Sequence, residues 1–185
     1  MRIVGGSLRG RPLAAPKGRD TRPTSDRARE GVFNILAHGE DVNFGDLFVI
    51  DLFAGAGAMG IEAISRGAAQ ILFVDSSRVA RTVIDENVNR LGVADQTAVE
   101  AWDGARLPDR PDRYPPAGLV FLDPPYGKGL ILPALNALVS GAWLAEKATV
   151  VVESGNKEDL PCPPGFSQVN ERAYGEAYFR FLTLA

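Results

Sequence analysis

The chain has 185 residues, of which 45% are hydrophobic and 23% charged, the balance of one globular domain with a modest extension. Those proportions exclude collagen-like, disulfide-scaffold and wholly disordered chains, and no apolar run approaches the roughly 18 residues of a membrane span. The net charge of −3 divides into +5 over residues 1–30, where eight basic side chains meet three acidic ones, and −8 over the remainder.

The opening Ile3-Val4-Gly5-Gly6-Ser7-Leu8-Arg9-Gly10-Arg11-Pro12-Leu13 alternates short apolar stretches with glycines and predicts a small β-hairpin. Pro23-Thr24-Ser25-Asp26 then supplies helix-start chemistry, and Ala28, Val32, Ile35 and Leu36 recur at helical spacing, so a helix is expected over 25–38. Arg27 and Arg29 in its first turns extend the basic region. Such an arm is either a dock for a polyanion, held by counterion release, or a solvated tail.

From Leu47 the pattern changes. Leu47–Leu52, Gln70–Asp75, Thr97–Ala101, Gly118–Asp123 and Thr149–Glu153 are short, mostly apolar runs, as strands buried on both faces require. Helices are expected between them over Gly60–Arg66, Val79–Leu91 and about Leu130–Val139. This alternation predicts an α/β fold with a parallel sheet and right-handed crossovers. The proline-punctuated stretches 106–116 and 157–167 read as surface loops. Gln168–Ala173, a Tyr174-Gly175 turn and Glu176–Leu184 predict a closing antiparallel hairpin. A lone cysteine, Cys162, and a lone histidine, His38, leave neither a disulfide nor a zinc cluster to be built. The start Met1-Arg2-Ile3-Val4 lacks the apolar stretch of a signal peptide, so the expectation is a soluble, cytoplasmic protein without metal.

Asp51-Leu52-Phe53-Ala54-Gly55-Ala56-Gly57-Ala58-Met59-Gly60 ends the first strand and opens a helix, placing G-x-G-x-x-G where glycines let backbone approach a ligand. Asp75 closes the next strand, where a carboxylate can accept hydrogen bonds from both hydroxyls of a ribose. Asp51, inside the turn, would repel a pyrophosphate and suits a cofactor with a cationic amino-acid end, which favours S-adenosylmethionine over NAD. Asp103, in Trp102-Asp103-Gly104, is a further candidate contact, to an adenine amine, with an ordinary cap as the alternative.

At the end of the fourth strand stands Asp123-Pro124-Pro125-Tyr126. Two prolines fix their own φ angles and restrict Asp123, giving a rigid platform for a carboxylate, a carbonyl and an aromatic ring. That combination suits methylation of an amide-like or exocyclic NH2. The Asp123 carboxylate and the Pro124 carbonyl can bind both hydrogens while Tyr126 stacks on the base, so that positioning and electrostatics supply most of the catalysis.

Together, Arg22-Pro23-Thr24 with Arg27 and Arg29-Glu30, Asp51 through Gly57, Phe121 through Tyr126, and Val151-Val152-Glu153 resemble the bacterial 16S ribosomal RNA guanine-N2 methyltransferase family. The resemblance spans Arg2 to Leu182. It implies a Rossmann-like class I methyltransferase fold with a seven-stranded sheet. It also implies S-adenosylmethionine as donor and a guanine of 16S ribosomal RNA in the assembling small subunit as acceptor. The expected division is a basic extension over 1–40 and a methyltransferase domain over 41–185, acting as a monomer. The candidate cofactor contacts are Asp51, Phe53, Gly55, Gly57, Asp75 and Asp103; the candidate RNA contacts are Arg9, Arg11, Arg22, Thr24 and Arg27. Adenine in DNA, a protein glutamine, or a noncatalytic RNA-binding role are the alternatives. The additional recognition domain that the first two usually carry has little room here.

Overall fold

The Ser25 hydroxyl accepts the Ala28 N–H at 3.1 Å and so starts α1 (Asp26–His38), in a computed structural model that describes residues 1–16, 24–40, 42–155 and 162–184. The strand and helix alternation follows: β1 (Phe48–Leu52), α2 (Ala58–Ser65), β2 (Gln70–Val74), α3 (Arg78–Leu91), β3 (Thr97–Glu100), β4 (Ala117–Leu122), α4 (Ile131–Ser140), β5 (Leu144–Gly155), β6 (Phe166–Tyr174) and β7 (Ala177–Leu184). α3 is capped at both ends, by the Ser77 hydroxyl on the Ala80 N–H and by Gly92 at φ 72°.

The seven strands lie in the order β3-β2-β1-β4-β5-β7-β6. β1 to β5 run parallel, and β7 inserts antiparallel between β5 and β6. Alternate residues of each strand feed two cores. Val49, Ile71, Phe73, Leu119, Phe121 and Val151 pack under α1, α2 and α3. Ile50, Leu52, Leu72, Val120, Leu122 and Val152 pack against α4 and Trp143. The order reverses between β1 and β4, so the crevice beyond their carboxyl ends is where an α/β sheet of this kind takes its ligands.

Three expectations are refined or corrected. The N-terminal segment does form a short hairpin, in which the Arg2–Pro12 bridge is flanked by bonds from the Ile3 N–H to the Arg11 carbonyl at 3.0 Å and from the Leu13 N–H to the Met1 carbonyl at 3.1 Å, but it is packed down on the domain. The donors that the pairing leaves over turn to α2: Val4 N–H to Glu62, Ser7 N–H to the Ser65 carbonyl and Leu8 N–H to the Ser65 hydroxyl. Ile3 and Leu13 are buried in the α1–α3 core, so this segment is no solvated tail. Second, β5 begins at Leu144, five residues before the expected start at Thr149. Its register against β4 jumps from Ala117↔Leu144 to Leu119↔Thr149, with Lys147 at φ 58° in the bulge. Third, the stretch 106–116 is a loop, but a pinned one: Tyr114 and Trp143 are buried with ring centroids 6.0 Å apart, and the Trp143 indole donates to the Pro108 carbonyl at 2.8 Å.

Candidate functional site at the carboxyl ends of the strands

The glycine loop leaves β1 through left-handed backbone at Phe53 (φ 58°), Gly55 (φ 56°) and Gly57 (φ 74°). Gly57 is the N-cap of α2 and offers no side chain to its first turn, where Asp51 takes the Gly60 N–H and the N–H groups of Ala58 and Met59 are left for a ligand. Gly60 is demanded by packing, since a Cβ there would stand 2.8 Å from the Ile71 side chain. Beneath the loop, buried Asp51 accepts the Gly60 N–H at 2.9 Å. Burial, and the neighbouring Asp75 charge, push its carboxyl up to about 8, although the Gly60 bond opposes them.

Asp75, just past β2, accepts the Gly55 N–H at 2.9 Å through one oxygen and the Ser77 N–H at 2.8 Å through the other. A carboxylate offers about four lone-pair sites, so it ties the loop down and retains acceptor capacity. The Phe53 ring lies over Gly104, where a Cβ would come within 2.8 Å of the ring. Asp103 accepts the Ala105 N–H at 2.9 Å in a tight turn; no helix begins there, so it is not the helix cap weighed as its alternative. Asp51, Phe53, Gly55, Gly57, Asp75 and Asp103 therefore converge around one loop.

The Asp123-Pro124-Pro125-Tyr126 turn stands beside it. The Asp123 N–H donates to the Leu52 carbonyl at 3.3 Å, so the ends of β1 and β4 are tied together. Asp123 is half-buried, Pro124 buried, and Pro125 and Tyr126 exposed. No hydrogen bond fixes the Asp123 carboxyl among the described residues. Burial first, then the Glu153 and Asp51 carboxyls, raise it well above the ordinary carboxylate range.

Two charged residues escaped the functional reading of the sequence. Glu153, on β5, accepts the Tyr126 hydroxyl at 2.7 Å through one oxygen and the Thr24 hydroxyl at 2.7 Å through the other. Its presence in Val151-Val152-Glu153 was the only signal, and it carried no role. Arg29, counted with the basic surface, is fully buried. It donates to Asp26 at 2.8 Å, to the Thr24 carbonyl at 3.1 Å and to the Arg2 carbonyl, and lies 3.8 Å from Glu62. It holds the fold and is no part of the exposed basic surface.

The candidate RNA contacts divide into two groups. Thr24 touches Glu153, and Arg27 lies exposed on the first turn of α1 beside it. Arg9 and Arg11 sit elsewhere: Leu8 is bound to Ser65 at the far end of α2, and Arg11 donates to the Arg90 carbonyl in the last turn of α3 at 3.3 Å. Both are exposed. Arg22 lies outside the described residues.

The family model described as conserved hypothetical protein 95 matches residues 1–183. Ribosomal RNA small subunit methyltransferase D of Escherichia coli is 35% identical over 181 residues, 97% of this chain and 88% of that protein. The protein of the same name from Haemophilus influenzae is 29% identical over 97% of this chain and 92% of its own length. Among solved structures, yhhF of Escherichia coli aligns with a TM-score of 0.81 at 34% identity, covering 100% of this chain and 97% of that one.

Proposed function

The chain belongs to the conserved hypothetical protein 95 family, and with ribosomal RNA small subunit methyltransferase D among its relatives we propose that it methylates the exocyclic N2 amine of a guanine in 16S ribosomal RNA, with S-adenosylmethionine as donor. The observation that carries this is the adjacency of two turns at neighbouring strand ends, the glycine loop after β1 and Asp123-Pro124-Pro125-Tyr126 after β4.

The residues of the first turn fit a nucleoside carrying a cationic amino-acid end. Asp75 keeps acceptor sites for ribose hydroxyls, the open N-terminus of α2 can receive a carboxylate, and Phe53 with the Asp103 turn forms a wall beside them. Asp51, its ionisation held back by burial, gains a counter-charge when a cation arrives above it. When bound, the cofactor supplies an electrophilic methyl group.

The second turn handles the acceptor. The nitrogen of a guanine amine is a poor nucleophile because its lone pair is delocalised into the ring. The Asp123 carboxylate and the Pro124 carbonyl accept hydrogen bonds from its two N–H groups, which favours the pyramidal nitrogen and aims the lone pair. An N–H donor at Asp123 also draws that carboxyl toward its ionised form. Tyr126, 42% exposed, offers its ring to the planar base. Orientation and preorganised acceptors then supply most of the rate.

Residues 1–40 act here as the extension that docks RNA and 41–185 as the methyltransferase domain. The setting is the assembling small subunit in the cytoplasm. In this reading the acting unit is a monomer. The test is labelled-methyl transfer to small subunits lacking the modification, followed by nucleoside digestion. Label in N2-methylguanosine supports the proposal; label in adenosine, in protein, or nowhere overturns it.

A further inference from the structure

We propose that Glu153 is a positioning residue for methyl transfer, a buried carboxylate that holds Tyr126 of the acceptor turn and Thr24 at the entry to α1 at the same time. The inference rests on the proposed function, because it assigns Tyr126 to the acceptor base.

The geometry is specific. Glu153 lies only 5% exposed in β5, with its backbone fixed between β4 and β7 by the pairs Leu122↔Val152 and Glu153↔Phe179. Each carboxylate oxygen takes one hydroxyl: Tyr126 on Oε1 and Thr24 on Oε2, both at 2.7 Å. A carboxylate is acceptor-only at both oxygens, whereas an amide accepts at one atom alone. Two residues further along β5, Gly155 leaves room for the Tyr126 ring, since a Cβ there would stand 3.3 Å from its Cδ2. The ring is thus set by its hydroxyl on Glu153 and by its edge over a side-chain-free strand end.

The second arm of the clamp reaches the RNA side. The Thr24 carbonyl accepts from Arg29, and Ser25 caps α1, so a pull on Thr24 is a pull on the helix that presents Arg27. Burying a carboxylate costs stability, and burial does push the Glu153 carboxyl up, while the Tyr126 and Thr24 bonds pull it back. An apolar side chain at this strand position would avoid that cost and lose both hydroxyls. The carboxylate therefore couples helix and acceptor turn, so that docking of RNA on α1 is felt at the ring that stacks on the base.

The test uses full-length protein and small subunits as substrate. Glu153→Ala lowers kcat by about 10–100-fold, as misplaced acceptor geometry does, while cofactor affinity changes less than about twofold. Glu153→Gln, nearly isosteric, recovers part of the loss because it keeps one acceptor oxygen. Tyr126→Phe costs rate in the wild type and nothing further in Glu153→Ala, since the hydroxyl has already lost its partner. A lowered melting temperature with unchanged kcat and KM, or additive losses in the double variant, overturns the proposal. Failure of the wild type to methylate RNA would strike the proposed function alone. Amide exchange then decides: over residues 24–30 it speeds up in Glu153→Ala if the clamp exists, and unchanged exchange contradicts it.

Discussion

The carboxyl of Asp51, at the end of β1, accepts the backbone N–H of Gly60 in the first turn of α2 at 2.9 Å, and so fastens the floor of the glycine loop to its helix. The price of that bond is a buried acid whose carboxyl is pushed up to about 8. The folded protein keeps a proton that the unfolded chain loses near the ordinary value of 3.8. Stability therefore falls as pH rises from about 4 to about 8. Asp51→Asn keeps an acceptor for Gly60 and removes the ionisation, so its denaturation midpoint should decline less across that range than that of the wild type. Parallel curves would show that Asp51 is already ionised. Binding of the cationic cofactor near pH 7.5 should also release protons in the wild type, measurable by calorimetry in buffers of different ionisation enthalpy.

Asp75→Ala should weaken S-adenosylmethionine binding by about 1.5–3 kcal/mol, since the ribose loses a charged acceptor. The Gly55 and Ser77 N–H groups lose theirs as well, so the loop itself loosens. Asp75→Asn should fall between the two. Equal affinities for all three by titration calorimetry would remove Asp75 from the cofactor site.

Asn87 is fully buried and uses its whole amide: Nδ2 donates to the carbonyls of Ala14 and Ala56, and Oδ1 accepts from the Ala14 N–H and from Arg90. It joins the N-terminal segment to the glycine loop. Asn87→Ala strands buried backbone groups and should cost about 1–3 kcal/mol or more. It should weaken cofactor binding as well, because Ala56 lies between the two loop glycines. Urea denaturation and calorimetry check the two effects separately.

The structure changes which arginines should be probed for RNA docking. Arg29 is buried and Arg11 is tied to α3, whereas Arg9 and Arg27 are exposed. Replacing Arg9 and Arg27 together should flatten the plot of log K against log salt by about 1.4–1.8, at about 0.7–0.9 per phosphate contact, with cofactor affinity unchanged. An unaltered slope would return both to the bare surface.

The sheet was legible because β1, β2 and β4 are buried on both faces, and continuous runs such as Val49-Ile50 and Ile71-Leu72-Phe73-Val74 admit few other readings. The start of β5 was not, since Glu146 and Lys147 look like a break and the strand crosses them by bulging. The N-terminal glycines suggested a hairpin, and Ile3 and Leu13 pair across it, but its docking through Val4 and Leu8 onto Glu62 and Ser65, far along the chain, left no local trace. Arg29 was misread because its burial depends on distant groups: beside the local Asp26 and Thr24 it meets the Arg2 carbonyl and stands 3.8 Å from Glu62 in another helix. The two turns of the candidate site were readable because each is contiguous. The link from Thr24 to Glu153 spans 129 residues and leaves no local trace.

The central claim is that Asp123 presents a guanine amine. It is tested most directly by mass spectrometry of nucleosides from 16S ribosomal RNA of a strain lacking the enzyme, complemented with wild type or Asp123→Ala. The same proteins assayed in vitro should differ by about 10²–10³ in rate, the usual cost of one positioning acceptor, with cofactor affinity nearly equal. Wild type should restore N2-methylguanosine at one position and Asp123→Ala should not. Full restoration by Asp123→Ala, or a methylated base other than guanine in the wild type, would contradict the account.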